Sequence, residues 1–183
     1  MRLVLLLLTM LTGQIFAQEQ MELKNRWMVG GNAEIYIERI GGNTGRLIAI
    51  AHPGAGYFVA KNFAIGARTP VSFFSNEYKL GIVPFTRYYL PSKSTARLFV
   101  ELNGGRTWRG LKDVSTNRYS MEYSWLFGGS AGAAFFVNKN ISIDIFLFYA
   151  GQSSRTRIVD TDIYTDALMK AEIGLGAGFQ IFL

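Results

Sequence analysis

The last fifteen residues constrain this chain more than any others. From Met169 to Leu183 the odd positions read Met, Ala, Ile, Leu, Ala, Phe, Ile, Leu. The even positions read Lys170, Glu172, Gly174, Gly176, Gly178, Gln180 and Phe182. A period of two is the signature of a strand with one apolar face, and helical spacing would scatter these apolar residues around the axis. The run is also too long for an ordinary strand of about five or six residues, yet long enough to cross a bilayer at a tilt.

Seven further segments alternate in the same way: Trp27 to Glu38, Leu47 to Val59, Phe63 to Phe73, Val83 to Leu90, Ala96 to Trp108, Tyr119 to Val137 and Ile141 to Tyr149. With the last segment they make eight, an even number that lets an antiparallel sheet close on itself. Connection lengths alternate as well. AKN at 60–62, the Pro91–Thr95 turn and NKN at 138–140 are short, whereas IGGNTG, NEYKLG, GLKDVSTNR and SSRTRIVDTDIYT are longer or more polar. One phrase occurs twice, YFVAKNFAIGA at 57–67 and FFVNKNISIDI at 135–145. On this scheme both copies are hairpins at the short-turn, periplasmic rim, with Lys-Asn in the turn. The predicted fold class is therefore all-β, an eight-stranded antiparallel up-and-down transmembrane β-barrel.

Composition agrees with a membrane barrel. The chain is 49% hydrophobic and only 17% charged, too little charge for a water-facing surface. Even so, its longest uncharged window beyond the first residues, YSWLFGGSAGAAFFVN, is broken by Ser and Gly and does not suit a spanning helix. With no cysteine there is no disulfide scaffold, thiolate metal site or cysteine nucleophile, and the single histidine leaves little for zinc. No metal or other cofactor is expected. Residues 1–17 have one basic residue, an apolar run and Ala17 at a cut site, the layout of a cleaved secretory leader rather than a membrane anchor. Residues 18–183 then form a single outer-membrane barrel domain.

The phrases GYFVAKNFAIGA, PFTRYYLP, AGAAFFVNKNISIDI and GLGAGFQIFL resemble the small outer-membrane β-barrel domain family, the OmpA/OmpX-like eight-stranded proteins of Gram-negative bacteria. The resemblance spans essentially the whole of 18–183. It implies an outer-membrane location with both termini periplasmic, and recognition of the last strand by the barrel-assembly machinery. That family usually ends in an aromatic residue. Here Phe182 is penultimate and Leu183 is last, although Phe179, Ile181 and Leu183 keep the spaced apolar pattern.

Aromatic residues are expected in two belts, with Trp27, Tyr57, Phe63, Tyr88 and Phe135 at one rim and Phe73, Trp108, Tyr123 and Tyr149 towards the other. The formal charge is +6. For an exported barrel the nearer anion is lipopolysaccharide phosphate, and nucleic acid is not an expected partner. Arg106, Arg109, Lys112, Arg155 and Arg157 lie at outer strand ends and loops, and are the candidates to face lipopolysaccharide. Solvated loop charge is the plainer account of any one of them.

Parity sends a mixed set of charges into the lumen: Glu34, Glu38, His52, Arg68, Arg87, Arg97, Glu101, Glu122, Asp144, Lys170 and Glu172. Buried charges need partners. Letting Val59 face Phe63, and Val137 face Ile141, sets Arg68 opposite Gly54 and Gly132 opposite Phe146. Arg87 and Glu101 come out opposite or diagonal, a predicted salt bridge. His52 falls near Glu34, Arg68 and Ser72, a grouping that invites a hydrolase reading. It lies mid-height in a lumen, however, and is followed by Pro-Gly, so a hydrogen-bonded network is the better account. Other lookalikes are structural: GGNTGR lacks the Walker lysine, GLGAG alternates within a strand, and Asn140-Ile141-Ser142 sits in a turn.

The function expected from these features is a non-enzymatic surface barrel with a plugged polar lumen, serving envelope integrity or adhesion through its loops. It is expected to be a monomer, with an extracellular partner reached through those loops. A second reading is a carrier or narrow channel for small hydrophobic molecules. In it, Phe58, Phe74, Phe85, Phe99, Phe136, Phe146 and Phe148 point inward, and the glycine stripe of the last strand leaves a slot. A third is a lipid-modifying enzyme built on His52.

Overall fold

The computed structural model describes residues 22–38, 46–74, 77–112, 119–158, 163–164 and 168–183. The leader reading for 1–17 and the IGGNTG connection fall outside these residues, as does much of GLKDVSTNR.

Ten strands are present among the described residues: β1 Trp27–Glu38, β2 Arg46–Ala60, β3 Phe63–Arg68, β4 Ser72–Phe74, β5 Glu77–Tyr89, β6 Ala96–Lys112, β7 Tyr119–Asn138, β8 Ile141–Ile158, β9 Ile163–Tyr164 and β10 Leu168–Phe182. They make eight staves. β3 and β4 are two pieces of one stave, both paired with β5, and β9 is a two-residue extension paired only with β8. Every pairing is antiparallel, and β1 pairs with both β2 and β10, so the sheet closes and leaves no edge on the ring.

Most strand positions follow the alternation, and the differences have local causes. The Phe63–Phe73 segment is interrupted at 69–71 around the buried Pro70, which has no N–H for the ladder. Backbone bonds from Thr69 N–H to Pro53 O (2.9 Å) and Val71 N–H to Ala51 O (2.9 Å) carry the stave across the break. Pro84 opens a similar gap in the β5–β6 pairing, between Ile82↔Arg106 and Phe85↔Asn103. β5 begins at Glu77 and β8 runs to Ile158, so parts of two segments expected as loops are ladder instead. Polar residues extend a hairpin as well as apolar ones once both sides face water.

The repeated phrase has a repeated structure. In each hairpin the register shifts by one residue at the valine, between Phe58 and Ala60 in one copy and between Phe136 and Asn138 in the other. A bulge of this kind inserts one unpaired residue and sharpens the local twist. The direct Val59–Phe63 and Val137–Ile141 pairs are therefore replaced by Ala60↔Phe63 and Asn138↔Ile141, while Gly54↔Arg68 and Gly132↔Phe146 hold as expected. The turn asparagine has one job in both copies. Asn62 O accepts from Tyr89 N–H at 2.9 Å and Asn140 O from Phe182 N–H at 2.7 Å, which ties each hairpin to a neighbouring stave.

The faces are inverted relative to a water-soluble protein. Leu98, Val100 and Leu102 on β6, Ile143, Ile145 and Leu147 on β8, and Ile173 and Leu175 on β10 are exposed on the outer wall, and Leu102 is 70% exposed. Arg68, Arg87, Glu101 and Asp144 are buried inside. No helix among the described residues is long and apolar enough to cross a membrane, so the apolar wall is the feature that suits a bilayer.

Candidate functional site: a layered, charge-bridged lumen

At the rim of the short turns the lumen is floored by aromatic rings. Phe58, Tyr89, Phe99, Phe136, Phe146 and Phe182 are buried and meet in a continuous chain of ring contacts with centroids 5.2 to 6.4 Å apart. Tilted and edge contacts at such distances suit aromatic quadrupoles. Leu23 lies beneath this floor with no exposed surface, placed by a turn in which Asn25 takes a left-handed φ of 62°. Asparagine is among the few residues that adopt this conformation readily. Arg26 then clamps the rim, its Nη1 donating to Lys139 O (2.8 Å) and its Nη2 to Asn140 Oδ1 (2.7 Å) and Phe182 O (2.6 Å).

Above the floor sits the charge network. Glu101 accepts from both terminal guanidinium nitrogens of Arg68, Nη1 and, at 2.7 Å, Nη2, and from Arg87 Nε at 2.8 Å. Arg87 Nη1 reaches across the lumen to Asp144 Oδ2 at 2.6 Å and also donates to the Tyr89 hydroxyl at 3.1 Å. Ser142 Oγ donates to the second Asp144 oxygen at 2.8 Å. Two cations face two carboxylates, and each guanidinium also covers a ring, Arg68 over Phe85 at 4.0 Å and Arg87 over Phe99 at 4.1 Å. Bidentate geometry and neutral sum make such a buried cluster tolerable.

Beyond the network a cavity of about 60 Å³ opens among Glu34, His52, Lys79, Ser130, Gln152 and Glu172, enough for a few water molecules. His52 Nε2 stands 3.1 Å from Glu34 Oε2, as the strand register implies. A second polar layer follows, in which Gln152 Nε2 donates to Ser124 Oγ at 2.8 Å and Glu122 Oε1 at 3.3 Å, with Arg109 Nη1 3.5 Å from Glu122 Oε2.

The Arg87–Glu101 bridge is present, and Glu34 and His52 come together. Glu122 is buried in the upper layer, and Arg97 lies over the Phe136 ring at 5.3 Å. Lys170 and Glu172 follow the inward parity at the loop-side end of β10. The side chains of Glu38, Ser72, Phe73, Phe74, Lys112 and Arg157 lie outside those described. Arg109 departs from its expected outward role, because odd positions of β6 face the lumen and it pairs there with Glu122. Arg106 and Arg155 are exposed on the wall. The glycine stripe leaves no slot: a Cβ on Gly176 would stand 2.3 Å from the Phe146 ring, and one on Gly174 would stand 2.7 Å from that of Phe148. Those rings occupy the space that the glycines vacate. The Arg68–Glu101 and Arg87–Asp144 links and the Leu23 plug were missed. Parity shows which charges point inward, but not which of them meet across the lumen.

Solved structures with this architecture are known. The N-terminal β-barrel domain of Pseudomonas aeruginosa OprF superposes with a TM-score of 0.60 at 12% identity, covering 87% of this chain and 98% of that one. Neisserial surface protein A gives 0.59 at 13% identity, covering 85% and 96%. OprG from Pseudomonas aeruginosa gives 0.55 at 11% identity, covering 91% and 99%. The fold is that of the small eight-stranded outer-membrane β-barrels. No protein-family model and no curated protein matches the sequence. At these identities the likeness carries the architecture and leaves the role to the site.

Proposed function

We propose that this outer-membrane barrel is a sealed, non-enzymatic surface protein that supports envelope integrity or adhesion through the loops opposite its short turns. The observation that carries the reading is the obstruction of the lumen by two successive layers. Arg68, Glu101, Arg87 and Asp144 link staves β3, β6, β5 and β8 across the interior, and the aromatic floor closes the path below them. A solute would have to separate buried ion pairs to pass. His52 faces Glu34 inside this lumen, away from lipid headgroups, which argues against lipid-modifying chemistry.

The short turns lie at the same rim as Trp27 and Leu183, where Trp27 N–H bonds Leu183 O at 3.0 Å, and this supports a periplasmic position for both chain ends. The closing strand, with Phe179, Ile181 and Leu183 spaced along it, is the segment offered to the barrel-assembly machinery. Ring closure leaves no free strand edge, which supports a monomer.

Single-channel conductance and small-solute swelling of the refolded protein in lipid test this reading. The expected result is no conductance and no uptake. Reproducible conductance, or uptake that rises for apolar solutes, would overturn the sealed barrel in favour of a carrier.

A further inference from the structure

Among the described residues of the β6–β8 wall, two exposed arginines, with Ser153 beside Arg155, interrupt a largely apolar surface. Arg106 on β6 is exposed, with its guanidinium carbon 4.9 Å from the centre of the Trp125 ring on β7. Trp125 is itself 60% exposed. Arg155 on β8 is also exposed and pairs in register with Tyr123, the outward residue two positions before Trp125. Trp108 pairs with Tyr123 from the other side. Arg106, Trp108, Tyr123, Trp125 and Arg155 therefore form one patch across three adjacent strands. Neither arginine has a carboxylate within ion-pair distance among the described residues.

The height of the patch identifies its surroundings. On the β6–β7 pair, Ala96↔Phe135 marks the aromatic belt at the short-turn rim, and Arg106↔Trp125 lies ten residues along. Ten residues at roughly 3.3 Å each, tilted by about 40°, climb about 25 Å, the height of the apolar band of an outer-membrane barrel. All outward side chains between the two rows on these strands are apolar or absent: Leu98, Val100, Leu102, Gly104, Phe127, Gly129, Ala131 and Ala133. The patch thus stands where hydrocarbon gives way to headgroups on the loop side.

We propose that Arg106 and Arg155, framed by Trp108, Tyr123 and Trp125, form a wall-mounted site for the phosphomonoester of an anionic lipid headgroup in the loop-side leaflet, which carries more negative charge than the phosphodiester of a zwitterionic headgroup. Two strand spacings and one two-residue step put the two Cα atoms about 12 Å apart, a gap that two arginine side chains can share around one phosphate group. Guanidinium takes phosphate bidentately, and the Trp125 ring under Arg106 holds its fork in place. Amphipathic rings prefer the headgroup level, so the frame and its ligand belong at the same depth. The assignment rests on the membrane-spanning reading above.

The test uses the full chain in phosphatidylcholine nanodiscs, titrated with bisphosphorylated lipid A and with its dephosphorylated form, with tryptophan emission as the readout. Lipid A should change the emission saturably, and R106Q or R155Q should weaken that response at least about tenfold each, the loss expected of one charge-assisted contact. K139Q, which removes a cation from the opposite rim, should leave it unchanged. Heat-modifiable electrophoretic mobility shows that each variant is folded. Equal binding of the dephosphorylated form would overturn the site, as would unaffected R106Q and R155Q, or an equal loss in K139Q. Displacement by millimolar inorganic phosphate would show a free-ion site and also overturn it. A chain that fails to enter bilayers would instead refute the membrane reading, so the two failures are distinguishable.

Discussion

Glu101 is the hub of the interior. Three hydrogen bonds from two arginines converge on its carboxylate, and the side chain is almost wholly buried. Burying ions is unfavourable unless each has its partner, and removing one partner leaves the others charged and desolvated. E101Q keeps the shape and removes the charge that balances Arg68 and Arg87. It should destabilise the barrel by about 3–5 kcal/mol, measured as a shift in urea unfolding from liposomes. A loss below about 1 kcal/mol would mean that water reaches the cluster and screens it, as it does for surface pairs. The Arg87–Glu101 half of this hub was legible in the sequence, because both residues lie on one hairpin and its short turn limits the register. The Arg68 and Asp144 contacts were not. They join staves that are not neighbours, and which rungs meet across a lumen depends on the stagger accumulated over all the pairings.

At the scale of elements, the doubled YFVAKN/FFVNKN phrase carries more than a turn. Each copy places a bulge at its valine and offers an asparagine carbonyl to the next stave. The second copy is further engaged by Arg26, which bridges that turn to the end of β10. Since β10 also pairs with β1, the arginine staples the seam where the barrel closes. R26A should cost about 1–2 kcal/mol, since most of its bonds are solvent-exposed, and should speed hydrogen exchange at the Phe182 amide. Unchanged protection at Phe182 would show that the Asn140 carbonyl holds the end of β10 without the staple. The strands themselves were legible through their period of two, and the short turns through their length. Less legible were the bulges, the Pro70 break and the outward continuation of β8, where neither apolar patterning nor turn residues mark the change.

For the whole molecule, the decisive property is inversion, with charge inside and a broad apolar wall outside. Sequence alternation alone cannot say which parity faces which medium. What resolves it is that Arg87, Glu101 and Asp144 are buried on one face with Phe58, Phe99, Phe136 and Phe146, while the opposite face of β6 holds Leu98, Val100 and Leu102 without charge until Arg106. Depth dependence follows from a hydrocarbon slab around the barrel. Leu102 is 70% exposed about midway between the two aromatic rows, whereas Ile82, 58% exposed, pairs with Arg106 at the boundary. L102R should therefore destabilise the bilayer-inserted protein by about 2–4 kcal/mol and I82R by only about 0–1 kcal/mol. Folding free energies in phosphatidylcholine vesicles check the pair. In a soluble sandwich both positions would accept arginine with little change, because an exposed leucine gains nothing from water. A flat response across the two variants would thus remove the hydrocarbon from around this wall, and a steep one would fix the height of the band directly.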